Sequence, residues 1–225
     1  IIKIKQFEHP AQKRLIIEEL ITNLIGVKIS TKKVDEMEAV SIPYKKESLL
    51  SFCKSLPFSL TNAQERVIKE IQKDMNNTRP MRRLVQGDVG SGKTVVAAAA
   101  MLTCAKSNLQ SVLLCPTEVL AEQHYKNFTK WFGSENIEIE ILTGKTKKKE
   151  WEKIDQNLSS GKTKILIGTH SVFQDRVSMK NLSLVVVDEQ QRFGVKQRFE
   201  MLQKSKQMLL PCLLYTSDAA DDVIS

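Results

Sequence analysis

The chain has 225 residues, of which 41% are hydrophobic and 27% are charged, so it can bury a core of its own. Its 34 basic and 26 acidic side chains give a net charge of +8, which favours polyanionic partners. No apolar run approaches the ~20 residues of a membrane-spanning helix, and four widely spaced cysteines argue against a disulfide framework or a zinc site, so we expect a cytoplasmic protein with no membrane partner.

The first 57 residues differ in character from the rest. Residues 11–25 carry an apolar stripe at helical spacing, which predicts a helix. A polar, lysine-rich connector follows over residues 28–46, and a short helix is predicted over 48–54. We expect residues 1–57 to form a small helical connector, inside a longer protein because position 1 is not Met.

From residue 58 onward, predicted strands and helices alternate. The strands are predicted at 82–86, 111–115, 137–141, 164–168 and 182–188. The helices are predicted at 61–75, 95–105, 118–132, 147–158 and 195–204. Residues 182–188 are almost continuously apolar, as expected when helices cover both faces of a sheet, whereas the alternation in 137–141 predicts one wetter face. This order predicts an α/β doubly wound fold with a mostly parallel sheet.

The most informative stretch joins the first predicted strand to the helix after it. It fits the phosphate-binding pattern G-x-x-x-x-G-K-[ST] with Gly87, Asp88, Val89, Gly90, Ser91, Gly92, Lys93 and Thr94. Its glycines let backbone N–H groups approach a phosphate closely, and the helix start directs a positive dipole at it. Lys93 can reach the β- and γ-phosphate oxygens, and the Thr94 hydroxyl can hold Mg²⁺. Strand, loop and helix together predict a nucleoside triphosphate site.

Two acids directly follow the apolar strand. Asp188 and Glu189 should lie at its carboxyl end, where α/β sheets place their ligands. Asp188 can hold Mg²⁺ through its water shell, and Glu189 can act as base for an attacking water. With Lys93, these two residues form the predicted catalytic group.

Gln64 has two open interpretations. Thr61 and Gln64 fit the S/T-x-x-E/Q capping box, so Gln64 can serve a helix start alone. A side-chain amide that both donates and accepts can instead recognise adenine. The spacing does not decide between the two roles.

These stretches together resemble the RecG family of ATP-dependent DNA helicases in superfamily two. The resemblance runs from about residue 8 to 210 and rests on five motifs in family order: LTNAQ at 60–64, GDVGSGKT at 87–94, PTEVLAEQH at 116–124, GTH at 168–170 and DEQQRFGV at 188–195. It implies a RecA-like domain over residues 58–210 that uses ATP and Mg²⁺. It also implies a motor, expected to be monomeric, that couples ATP hydrolysis to branch migration and fork remodelling in DNA repair and recombination. The DNA partners would be forks and Holliday junctions.

The resemblance assigns roles residue by residue. Gln64 would read adenine, Lys93 and Thr94 would bind phosphate and Mg²⁺, and Asp188 and Glu189 would form the hydrolytic pair. The DNA backbone would be contacted by Pro116, Thr117, Glu118, Gly144, Thr169 and His170. Helix capping is the alternative role of Thr117 and Thr169, and both roles can hold at once.

Three departures from the family pattern stand out. Gln191 replaces the usual His, which puts the coupling of hydrolysis to DNA in doubt. Residues 211–225 resemble a translated sequencing adapter, so we expect a non-native tail in place of the second motor lobe and its arginine finger. The wedge domain that would precede residue 1 is also expected to be missing. We therefore expect weak Mg-ATP binding, poor hydrolysis and no unwinding.

Two alternatives to a RecG-type motor remain. One is a translocase of the transcription-repair coupling factor type, which shares the GDVG and RFGV stretches. The other is a nucleotide-binding module without turnover. Glu189 argues against the second, because a pure binder does not need that base.

Overall fold

A computed structural model describes residues 14, 39–43, 46–173, 177–189 and 212–218. Most of these belong to one compact unit, Ala39–Ser225. The helix predicted over 11–25 lies outside the described residues except at Arg14. The helix predicted over 195–204 and Gln191 also lie outside them. No helix in the described part of the chain is both long and apolar enough to cross a membrane.

The described residues form six strands and five α-helices. The strands are β1 Arg82–Gly87, β2 Gln110–Leu114, β3 Ile139–Leu142, β4 Ile165–Gly168, β5 Leu182–Val187 and β6 Cys212–Asp218. The helices are α1 Lys46–Ser55, α2 Asn62–Met75, α3 Lys93–Lys106, α4 Glu118–Trp131 and α5 Lys148–Ser160, with a short 3₁₀ turn at His170–Phe173.

The strands form one sheet in the order β1-β6-β5-β2-β4-β3. Each pairing in it is parallel. The predicted doubly wound α/β fold is therefore confirmed. Because parallel strands run in one direction, the carboxyl ends of all six strands lie along one edge of the sheet.

Helices cover both faces of the sheet. On β2, Leu113 belongs to an apolar cluster that includes α1, α2, α3 and α4, while Val112 and Leu114 belong to a cluster on the opposite face that includes α5. Helix α3 is buried from Val95 to Ala105, and its small side chains let it pack closely against the sheet and its neighbouring helices. The helix that follows the phosphate loop is thus held in the core.

The more solvent-exposed face predicted for β3 is partly covered by neighbouring residues, as Glu140 shows. The carboxylate of Glu140 accepts hydrogen bonds from Asn157 Nδ2 at 2.9 Å and from Thr163 Oγ1 at 2.5 Å, so this glutamate is half-buried at the end of α5. β3 also begins at Ile139, two residues later than predicted. The preceding Glu138 carbonyl accepts hydrogen bonds from Lys164 and Ile165 at the start of β4.

The compact unit extends beyond residues 58–210 on both sides. At its start, Ile42 N donates to Met75 O at 2.9 Å, and Phe52 of α1 is fully buried. At its end, residues 212–218, which lie within the expected non-native tail, form β6 between β1 and β5. The division into a connector over 1–57, a lobe over 58–210 and a tail over 211–225 stays a prediction.

Candidate functional site

Apart from Gln64 on α2, the predicted site residues follow the carboxyl ends of the strands, and the strand order sorts them into two groups. The phosphate loop follows β1 and the two acids follow β5, with β6 between these strands. The residues assigned to DNA follow β2, β4 and β3, which are consecutive on the other half of the sheet. The residues assigned to nucleotide and those assigned to DNA therefore share one edge but occupy different halves of it.

The phosphate loop forms a tight turn that ends in α3. Gly90 and Gly92 have φ angles of 79° and 82°, the left-handed region that glycine adopts without strain. Lys93 is the first residue of α3, and its Nζ donates to Gly87 O at 2.7 Å and to Asp88 O at 2.8 Å. The ammonium group thus lies inside the loop, where phosphate oxygens can replace the two carbonyls.

Gln64 contacts both the start of α2 and the phosphate loop. Thr61 and Gln64 form the predicted capping box: Thr61 N donates to Gln64 Oε1 at 2.9 Å, and Gln64 N donates to Thr61 Oγ1 at 3.2 Å. Gln64 Nε2 also donates to Ser91 O at 2.9 Å, which joins α2 to the phosphate loop. The capping role is confirmed, and adenine recognition stays a prediction.

Asp188 is half-buried at the end of β5, with 15% of its side chain exposed. Its Oδ2 lies 2.8 Å from His124 Nε2, and its Oδ1 accepts a hydrogen bond from Thr216 Oγ1 at 2.6 Å. Burial alone would raise the pKa of this carboxyl, but the hydrogen bonds from His124 and Thr216, with the charges of His124 and Lys93, lower the pKa below its ordinary value. The charge of Lys93 thus favours the ionised form of Asp188.

Glu189 has a strained backbone. Its φ of 55° lies in the left-handed region, which costs a residue with a side chain about 1–2 kcal/mol. Its N–H donates to Thr216 Oγ1 at 3.4 Å. Strain of this kind is concentrated at functional sites, because the surrounding structure must enforce it. The role of Glu189 as a base stays a prediction.

On the DNA-assigned half, Glu118 binds the loop after β3. Its carboxylate pairs with Lys145 Nζ at 2.8 Å. The hydrogen bond from Lys145, the charge of that lysine and the N–H groups of Gly144 and Lys145 lower the pKa of Glu118. Glu118 and Gly144, predicted separately, are therefore in contact.

The threonines of this half differ in exposure. Thr117 is exposed, and its Oγ1 accepts the Leu120 N–H at 3.3 Å, which confirms the helix-cap role. Thr169 is 3% exposed, and its Oγ1 lies 3.4 Å from Ser171 Oγ, so its hydroxyl faces the protein interior. His170 is exposed and Pro116 is half-buried. Contacts of these residues with DNA stay predictions.

His124 and Thr216, which contact Asp188 directly, were not among the predicted site residues. A signal for His124 exists: it shares helical spacing with Ala121, Phe128 and Trp131, the other buried residues of α4. A histidine in such a stripe needs a polar partner in the core. Thr216 had no such signal, because its segment reads as a non-native tail.

The oxygen donors at the site fit Mg²⁺ bound with a nucleotide. Among the described residues, no group of three or more His, Cys, Asp and Glu side chains could hold a metal alone. Mg²⁺ does not need one, since it binds through one or two protein oxygens and takes its other ligands from phosphates and water. The Thr94 hydroxyl, in the first turn of α3, and the Asp188 carboxylate are such oxygens.

Known proteins resemble this chain over most of its length. The model of the DEAD/DEAH box helicase family matches residues 61–219. The ATP-dependent DNA helicase RecG of Haemophilus influenzae is 42% identical over 203 residues, which are 90% of this chain and 29% of that protein. RecG of Thermotoga maritima is 45% identical over 206 residues, 90% of this chain and 26% of the relative. A solved structure of RecG bound to a three-way DNA junction superposes with a TM-score of 0.77 at 37% identity, covering 94% of this chain and 28% of that one. The chain thus spans less than a third of the length of these relatives.

Proposed function

Because the chain belongs to the DEAD/DEAH box helicase family and its sequence is of the RecG type, we propose that it is the nucleotide-binding motor lobe of an ATP-dependent DNA helicase. The observation that carries this proposal is the placement of two groups at one carboxyl edge of the sheet: the phosphate loop with Lys93 follows β1, and Asp188 follows β5, with β6 between these strands. Residues that follow two separate strands would then contact one triphosphate and its metal ion.

Each residue has a distinct task in this proposal. The Lys93 ammonium leaves the carbonyls of Gly87 and Asp88 for the β- and γ-phosphate oxygens. Thr94 and Asp188 would hold the magnesium ion, which would supply positive charge to the phosphates when bound. Glu189 accepts a proton from the water that attacks the γ-phosphate. Gln64 recognises adenine from its place beside the loop.

Branched DNA is the proposed substrate. The net charge of +8 suits a polyanion, and a solved relative is described as RecG bound to a three-way DNA junction. The second half of the carboxyl edge, with Thr117 and the loop at Gly144, would contact the phosphate backbone. We propose that the motor acts as a monomer in the cytoplasm and remodels forks and Holliday junctions during repair and recombination.

Nucleotide binding and hydrolysis test the proposal. The chain should bind a fluorescent ADP in the presence of Mg²⁺, and Lys93→Ala should weaken that binding at least about tenfold because it removes a phosphate contact. Glu189→Gln should retain binding and lower ATP hydrolysis. Lys126→Ala, which removes an equal charge from an exposed position of α4, is the matched control. Absence of Mg-dependent binding in the parent chain would contradict the proposal, as would equal hydrolysis in the Glu189→Gln variant.

A further inference from the structure

A buried histidine connects α4 to the acid at the end of β5. His124 lies seven residues after Thr117 along α4, and its side chain is 8% exposed. Its Nε2 lies 2.8 Å from Asp188 Oδ2. An ionised carboxylate only accepts hydrogen bonds, so Nε2 carries the proton and donates it to Asp188.

The histidine ring is oriented for this one contact. It packs against Phe128 with ring centroids 6.3 Å apart at an interplanar angle of 60°. Of its two nitrogens, only Nε2 has a hydrogen-bond partner within the described part of the chain, while Nδ1 is buried without one there. A buried polar atom without a hydrogen-bond partner destabilises a fold, so the unpaired Nδ1 counts against this orientation of the ring. The hydrogen bond to Asp188 accounts for it.

The Asp188 carboxylate is held from two directions. His124 Nε2 binds Oδ2 from α4, and Thr216 Oγ1 binds Oδ1 from β6 at 2.6 Å. The backbone N–H of Asp188 donates to Leu114 O of β2 at 2.9 Å. These contacts fix the plane of the carboxylate and leave lone pairs on both oxygens for a water molecule or a cation.

We propose that His124 is a positioning residue for the magnesium ion of the bound nucleotide, acting through the hydrogen bond from its Nε2 to Asp188. The inference rests on the proposed function, since it assigns a further residue to the same site. Hydrogen-bond partners of metal ligands orient those ligands, and their loss lowers metal affinity about 10- to 100-fold. His124 also lies on the helix that begins at Glu118, so it ties the metal site to the DNA-assigned half of the edge.

The test measures the Mg²⁺ concentration that the 225-residue chain needs to bind N-methylanthraniloyl-ADP. His124→Phe keeps an aromatic ring but removes the N–H donor, whereas His124→Gln places an amide N–H at similar reach. We expect His124→Phe to raise the half-saturating Mg²⁺ concentration at least about tenfold, and His124→Gln to stay within about threefold of the parent. Gln123→Ala, an exposed neighbour on α4, should not change it.

Binding in excess EDTA provides a second measurement. Nucleotide affinity without Mg²⁺ should be alike in the parent and both variants, because a residue that acts through the metal has no effect in its absence. An unchanged Mg²⁺ requirement in His124→Phe would overturn the inference, as would equal increases in the Phe and Gln variants.

Thermal unfolding establishes that each variant is folded. If His124→Phe does not fold, His124→Asn, whose amide is too short to reach Asp188 Oδ2, replaces it in the comparison with His124→Gln. If the parent chain binds no Mg-nucleotide, that result contradicts both the proposed function and this inference. The outcomes named for the Phe and Gln variants defeat the inference alone.

Discussion

The side-chain amide of Gln64 donates a 2.9 Å hydrogen bond to the carbonyl oxygen of Ser91, which joins the first turn of α2 to the phosphate loop. The same side chain accepts the Thr61 N–H through Oε1. One glutamine therefore begins a helix and braces the loop that would hold the nucleotide. The two contacts can be separated, because Thr61 takes part in the helix cap and not in the contact with Ser91.

Replacement of Gln64 and Thr61 should separate helix capping from loop support. Thr61→Ala removes the side-chain cap and should cost about 1 kcal/mol of stability with little loss of nucleotide affinity. Gln64→Ala removes the reciprocal bond and the contact to Ser91, so it should also weaken nucleotide binding. Thermal unfolding and titration with fluorescent ADP measure the two effects. Equal affinity losses in both variants would show that capping alone matters.

Two glycines of the phosphate loop should differ in their response to alanine. Both have φ near 80°, so Gly90→Ala and Gly92→Ala each introduce strain of about 1–2 kcal/mol. A Cβ at Gly92 would also displace Gln64 Nε2 from its hydrogen bond to Ser91 O, whereas a Cβ at Gly90 meets nothing within 4 Å. Gly92→Ala should therefore lower the unfolding free energy more than Gly90→Ala, measured by urea titration. A larger loss from Gly90→Ala would contradict the close approach of Gln64 to Gly92.

Loss of the Glu118 charge should strengthen DNA binding. Its carboxylate pairs with Lys145 and accepts N–H groups from the loop at Gly144, so it competes with phosphate for the same donors. Glu118→Gln should tighten binding of a labelled branched DNA about two- to fivefold at low salt, an effect that added salt should reduce. Fluorescence anisotropy provides the measurement. Glu152→Gln, an equal charge change on an exposed position of α5, is the control. Weaker binding by Glu118→Gln would indicate that the carboxylate itself supports the DNA contact.

Glu135 should make stability depend on pH. Its carboxylate accepts Ser51 Oγ and pairs with Lys106 Nζ, each at 2.6 Å, with 6% of the side chain exposed. Burial alone would raise the pKa of Glu135, but the hydrogen bonds from Lys106 and Ser51 hold it below its ordinary value. A depressed carboxyl pKa stabilises the fold above the unfolded value of about 4.3 and loses that effect as pH falls through the folded pKa.

Glu135→Gln should therefore lower the free energy of unfolding by about 2 kcal/mol at pH 7. The difference between parent and variant should become smaller below about pH 4. Urea unfolding at several pH values measures this difference. The exposed Glu138→Gln is the matched control and should show no comparable loss. If the difference in unfolding free energy between parent and variant is the same at every pH, the charge of Glu135 is not its cause.

Local signals in the sequence predicted the elements that frame the site. The capping box at Thr61 and the glycine loop before Lys93 each depend on neighbours a few residues away, and both lie where predicted. The acids after the apolar strand were likewise placed correctly at its carboxyl end, because strand direction determines where a following side chain lies.

Contacts between distant segments were not predictable in the same way. His124 and Asp188 are 64 positions apart, and only the packing of α4 against the sheet brings them together. The position of Thr216 depends on the strand order, which hydrophobic pattern alone does not specify. Glu118 was assigned to DNA by resemblance, yet its bond to Lys145 depends on the fold of the loop after β3.

The placement of β6 also has a kinetic consequence. Arg82 of β1 pairs with Leu213 of β6, so the first of the described strands pairs with the last of them. On the ribosome, the pairs made by β2 with β4 and β5 can form before that strand has been synthesised. The phosphate loop should then mature late, and the closure of so long a chain segment should limit the folding rate.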